Sequence, residues 1–373
     1  MQDHSMEKHN ALFQFTRKWW VCSAIMLAWL VAGQFLPVHQ AFAYTIKEFN
    51  VPHGLMPAGP NGITNGPDGG IWFTESAGNK IGRISTSGVI TEFAVPTQNS
   101  GPSGISAGPD GSLWFTESAG NKIGRISTSG VITEFTIPTQ VSSPAGITAG
   151  PDGNLWFTET GGNKIGRITT SGVITEFTIP TQASIPAGIT AGPDGNLWFT
   201  ENASCKIARI TPTGGITEFQ GPVKTFPGPF GPASIVAGYD GNLWFNVIRS
   251  GVGRITTSGM ITMFQIPGGD SRGIAAHSDG SLWITSYVYL IKLSAKTGEP
   301  LTFLVPTTNS RPTGITIGPD GNPWFTEYNG NNIGRLTMDD FTVPLFSSWG
   351  RTLLIAIFGL WSAYYLKYKF RKE

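Results

Sequence analysis

Five carboxylates occupy one position in five near-identical stretches: Glu75, Glu117, Glu159, Glu201 and Glu327 each close a "WFTE" segment. Two further stretches end in Val247 and Ser286 instead. Gathered on one rim, five carboxylates would supply the oxygen ligands that a hard cation takes. The same glutamates have a local alternative, pairing with the lysine of the following "NKIGR" (Lys80, Lys122, Lys164). Other reactive groups are scarce. Beyond residue 43 the only histidines are His53 and His277, too few for a Ser/His/Asp triad. Two cysteines, Cys22 and Cys205, make neither a disulfide framework nor a cysteine-based metal site. No P-loop, dinucleotide fingerprint, zinc pattern or HExxH occurs. The formal net charge of +1 gives no field for drawing in nucleic acid.

The elements that carry these glutamates repeat. The central tryptophans are Trp72, Trp114, Trp156, Trp198, Trp244, Trp283 and Trp324, between 39 and 46 residues apart. One unit reads as a short apolar piece "SGISA", a turn "GPDG", an aromatic strand "SLWFTE", a loop "SAGN", an alternating strand "KIGRIST", a tight turn "SG" and a last strand "VITEFTIP". Four strands per unit at this period predict an all-β, seven-bladed β-propeller over 44–340, each strand burying one face. The last unit lacks its fourth strand, whereas "YTIKEFNVP" (44–52) matches "GVITEFTIP". An N-terminal strand is therefore expected to complete the last blade and remove an open sheet edge. Alternating strand directions put the "WFTE" glutamates and the "x-P-x-G-I" starts on one face, near the central channel.

The two ends read differently. Residues 1–18 carry Lys8, Arg17 and Lys18, an apolar run follows, and Ala41 and Ala43 form an A-x-A site: a signal peptide over 1–43, with an uncleaved anchor as the alternative. In 341–373 the apolar segment 353–366 precedes Lys367, Lys369, Arg371 and Lys372, which favours a cytoplasmic end and an exported 44–345. The order "VPLFSSWG", apolar run, basic cluster resembles the exosortase-type sorting tails of Gram-negative bacteria. That resemblance implies transient membrane anchoring, a sorting transpeptidase as partner, and display at the cell envelope; a plain anchor is the alternative.

At full length, the unit "GITAGPDGNLWFTETGGNKIGRITTSGVITEFTIP" resembles those of the streptogramin B (virginiamycin B) lyases, over nearly all of 44–337. The resemblance implies a seven-bladed propeller, a carbon–oxygen elimination that opens a cyclic depsipeptide, a divalent cation, usually Mg2+, and a histidine base in a "P-H-G-I" or "P-H-A-I" segment. The matching positions here are Asn61, Ser103, Ala145, Ala187, Ala233, Arg272 and Thr313, none of them histidine. No catalytic residue is thus assigned. Where the later repeats diverge, a lengthened crossover (220–233) and Arg272, Tyr287 and Tyr289 have the residue types of a binding patch. The expected function is an exported, surface-associated, monomeric, lyase-like propeller that binds an unknown ligand or protein partner on its Glu-bearing face without catalysis. The alternative is a Mg2+-dependent lyase with a base other than histidine that opens a cyclic depsipeptide or lactone.

Overall fold

The computed structural model describes residues 43–54, 57–221 and 231–339; the leader and tail expectations, and most of the 220–233 crossover, lie outside them. The described residues form only strands and turns, so no helix there is long and apolar enough to cross a membrane. Seven antiparallel four-stranded sheets stand around one axis. Blade one comprises β2 (Pro60–Asn65), β3 (Ile71–Glu75), β4 (Lys80–Ile84) and β5 (Ile90–Ala94) in that order. Blades two to six repeat it, and their first strands adjoin one another around the centre.

Each aromatic strand is buried on both faces, because it lies between two blades. Trp72 packs with Ile105, Leu113 and Phe115 of blade two, and Phe73 with Trp324 and Ile333 of blade seven. Alternation then sends Thr74 the way of the tryptophan and Glu75 the way of the phenylalanine. The tryptophans are held at their polar edge by the turn. Asp110 Oδ1 accepts both the Ser112 amide and Trp114 Nε1, at 3.2 and 3.0 Å, and Arg125 lies 5.7 Å over the Trp114 ring.

Adjacent blades are joined at the centre by threonine hydroxyls. Thr158 Oγ1 accepts the Gly146 amide of its own blade at 2.9 Å and donates to the Ala187 carbonyl of the next at 2.8 Å. Thr74, Thr116, Thr200, Thr285 and Thr326 donate across the other interfaces in the same way. In blade five Asn246 accepts the Ser234 amide, and the Ser234 hydroxyl donates to Arg272 O. The glycine of "P-x-G-I" permits this approach: a Cβ at Gly62 would overlap the Ser103 carbonyl, and one at Gly314 the Asn61 carbonyl.

Closure follows the sequence expectation. Blade seven runs β1 (Ala43–Asn50), β28 (Asn332–Asp339), β27 (Pro323–Glu327), β26 (Pro312–Ile317). Hydrogen bonds from Asn50 to Asn332 and from Thr337 to Thr45 make β1 antiparallel to β28. Asn331 fastens the junction, donating to Val51 O and accepting the Ala58 amide, each at 2.7 Å.

The relay predicts a sharp contrast. Thr158→Val keeps the shape but strands a part-buried carbonyl and amide, costing about 1–2 kcal/mol, whereas Thr91→Val on an exposed outer strand costs under ~0.5 kcal/mol. Urea midpoints of the two variants measure the difference.

Candidate functional site

The five "WFTE" glutamates end their strands at the same end of the ring, yet none opens onto the channel. All five are fully buried, each turned into the space between its own blade and the preceding one. Four of the carboxylates fold back on the glycine of the following hairpin: an added Cβ would sit 2.8 Å from Glu75 Oε2 at Gly78, 2.9 Å from Glu159 Oε2 at Gly162 and 2.7 Å from Glu327 Oε2 at Gly330, whereas Glu201 accepts the Ser204 hydroxyl at 2.8 Å.

The lysines opposite them do not take them as partners. In blade two Glu117 faces Lys122 across the strand pair, but Lys122 Nζ binds Glu134 of the outer strand at 2.7 Å. Lys80, Lys164 and Lys206 likewise pair with Glu92, Glu176 and Glu218. The long side chain keeps its ammonium at the rim, where solvent still reaches it, and the half-buried outer carboxylate is the partner found there. Glu134 also accepts the Thr97 amide and hydroxyl of the preceding crossover, at 2.9 and 2.8 Å. Both oxygens of Glu75, Glu117 and Glu159 are left without a hydrogen bond, the Ser100 hydroxyl beside Glu117 being donated to Asn79.

Burial therefore governs their titration. Desolvation, with the outer glutamate's charge adding to it, pushes Glu75, Glu159 and Glu327 up to about 8 and Glu117 to about 7. Glu201 rises to about 7 through desolvation, partly offset by its bond from Ser204. The outer Glu134, Glu176 and Glu218 remain below the usual carboxylate range despite desolvation, held there by lysine and threonine hydrogen bonds.

Among the described residues no three His, Cys, Asp or Glu side chains gather where an ion could share them. The glutamate set does not fit a common Mg2+, since its members occupy separate interfaces and, in blades one to four, a lysine ammonium already supplies the positive charge beside the pair.

At the channel mouth, the residues matching the family's histidine positions lie side by side at the starts of the first strands, as the Asn61 Nδ2 to Ser103 Oγ bond of 3.3 Å shows. His277 lies at the opposite end, its ring against Asp279 and 3.2 Å from the Gly321 carbonyl, and His53 is exposed outside the blades. Arg272 reaches Asp270 at 3.1 Å, and its Nε is buried without a partner. Tyr287, half exposed, follows the second strand of the same blade. Tyr289 instead packs on the core between blades five and six. The sequence reading missed Arg311, which lies 5.1 Å over the Tyr328 ring at the same end of blade seven. Its signal was positional: Arg311 replaces the Gly101, Ser143 or Ile185 of other blades.

The buried glutamates set a direction for stability against pH. A carboxyl protonated when folded and ionised when unfolded makes stability fall as pH rises from its unfolded value through about 8. The depressed outer glutamates act below that window and lose their contribution as pH falls through their folded values. Melting temperature is thus expected to peak at mildly acidic pH, and Glu159→Gln to raise it at pH 9 relative to the parent with little change at pH 5.

Residues 40–288 and 230–348 match the Virginiamycin B lyase family. A streptogramin B lyase structure is 37% identical with a TM-score of 0.75, covering 81% of this chain and 100% of its own. Virginiamycin B lyase from Staphylococcus aureus is 39% identical with a TM-score of 0.73, covering 80% and 100%. A catalytically inactive histidine-to-alanine variant of that enzyme, crystallised with quinupristin, gives 39% and 0.74 over the same shares. Repeat sequence, blade number and these matches agree, and the chain belongs to the virginiamycin B lyase family.

Proposed function

We propose that this chain is an exported lyase-like propeller that binds a ligand at its Glu-bearing end without opening it. One observation carries the reading: no first-strand position that could present the family's histidine base holds one, and Arg272 stands at one of them. An elimination needs a base within hydrogen-bond reach of the proton it removes. Arginine stays protonated and cannot serve. The glutamates are turned into the blade interfaces. In the staphylococcal relative a single histidine-to-alanine change gives an inactive enzyme that was nevertheless obtained with quinupristin, so loss of the base and retention of a ligand are compatible on this scaffold. Arg272 and Arg311, with Tyr287 and Tyr328, would supply the ligand contacts.

Export completes the reading. Cleavage after Ala43 leaves Tyr44–Asn50 to finish blade seven, and the tail would hold the protein at the envelope until a sorting transpeptidase acts. Antiparallel pairing puts the start of β1 and the end of β28 at the end of the ring opposite the glutamates, which would leave the Glu-bearing end clear for a ligand. The second reading, a Mg2+-dependent lyase with another base, is favoured by the family alone.

Incubating the full-length protein with quinupristin and Mg2+ separates the two: intact macrocycle is expected, and a ring-opened product abolished by chelator would contradict the proposal. Mass spectrometry of protein from the producing cells is expected to find Tyr44 at the N-terminus; a retained leader would exclude the exported, processed form.

A further inference from the structure

Blade seven lacks one charged group that blades two to four share. In those three blades a lysine ammonium bridges a threonine hydroxyl and the outer glutamate: Lys122 to Thr97 and Glu134 at 2.6 and 2.7 Å, Lys164 to Thr139 and Glu176 at 2.6 and 2.9 Å, Lys206 to Thr181 and Glu218 at 2.7 Å each. Blade seven reproduces the surroundings. Glu48 of β1 accepts the Thr307 amide and hydroxyl at 3.0 and 2.8 Å, and Glu327 ends the second strand. The lysine, however, is replaced by Asn332. Its shorter carboxamide reaches the Thr307 hydroxyl and Glu327 Oε2 only at 3.4 Å, the outer limit of a useful bond.

Two carboxylates therefore face each other there without the cation present in the sister blades. Glu327 is fully buried and its Oε1 has no partner. The Ser310 hydroxyl, beside the same hairpin glycine, is also buried and unpartnered, because blade six lacks the asparagine that takes the equivalent serine elsewhere. Turning the Asn332 carboxamide over gives up the long 3.5 Å bond its oxygen accepts from Asn50 Nδ2 and directs that oxygen to the same point. All the available donors are then hard oxygens, and once the ion displaces the proton that burial and Glu48 hold on Glu327, two carboxylates balance a divalent charge. Ca2+ accepts irregular sets of six to eight oxygens, whereas Mg2+ demands near-octahedral geometry.

We propose that Glu48, Thr307, Glu327 and Asn332 bind one Ca2+ at the closure of blade seven, where the sister blades place a lysine ammonium. The ion would tie the latching strand β1 to the second and third strands of the last blade. This site lies within a blade, away from the channel mouth, and does not depend on whether the channel mouth binds or breaks a ligand.

The test is calorimetric titration of the full-length protein in detergent with CaCl2 and with MgCl2, together with melting curves in CaCl2 or EGTA. One Ca2+ per chain is expected, with a Kd on the order of 10⁻⁴ M as in extracellular modules, Mg2+ binding more weakly, and a melting temperature several degrees higher in Ca2+. Asn332→Lys installs the ammonium of the sister blades; it is expected to weaken Ca2+ binding at least thirtyfold and to melt at the same temperature in Ca2+ and EGTA, at or above the Ca2+-loaded parent. Glu327→Gln is expected to lose Ca2+ binding as well. Absence of Ca2+ binding by the parent, equal binding by the Asn332→Lys variant, or Mg2+ binding as tight as Ca2+ would overturn the proposal.

Discussion

The hydroxyl of the threonine before each "WFTE" glutamate is the contact on which this ring depends. It accepts an amide from its own blade and donates to a carbonyl of the next, as with Thr158 between Gly146 and Ala187. Each first strand thus has its polar groups met across a blade boundary where water has little access. The price is stereochemical: where threonine makes this link the residue beside it is a glycine with no Cβ to clash, as at Gly62 and Gly314, and blade five, which has Asn246 in place of threonine, carries Ser234 there instead. Strand alternation then leaves the next residue no choice. With threonine turned to the following blade, glutamate must turn to the preceding one, into the same layer as Phe73 or Phe157.

That placement explains why the repeated glutamate differs from a rim carboxylate. It is buried by the same geometry that closes the ring, its lysine neighbour is drawn outward to Glu92, Glu134, Glu176 or Glu218, and its proton stays on near neutral pH. Strand direction alone assigns the correct end of the ring to these residues. It does not say whether a side chain at a strand's last position faces the channel or the neighbouring blade.

Much of the fold was legible in the sequence because the repeats state it seven times. The Trp period, the Asp-Gly turns and the displaced strand "YTIKEFNVP" lead directly to the blade count and to closure by β1. The site was less legible. Tyr289 has the residue type of a binding patch beside Arg272 and Tyr287, but it packs on the core between blades five and six. Arg311 passed unnoticed because its significance lies in a ring contact with Tyr328, a residue placed beside it only by the pairing of β26 with β27. The Glu48–Glu327 pair joins residues almost three hundred positions apart, and only the latch strand brings them together. Membership of the virginiamycin B lyase family goes with the scaffold, while the first-strand starts of this chain carry Arg272 and small or polar residues.

The glutamates of blades one to four are buried interface residues, pushed toward the protonated form near neutral pH and set in separate interfaces. Carbon-detected NMR of protein labelled at the glutamate carboxyl carbons tests this most directly, by titration from pH 4 to pH 9 with and without Mg2+. The account predicts carboxyls titrating near 7 to 8 for Glu75, Glu117, Glu159 and Glu201, unmoved by Mg2+. Titration of all four in the ordinary carboxylate range, or a Mg2+-induced shift of several together, would contradict it.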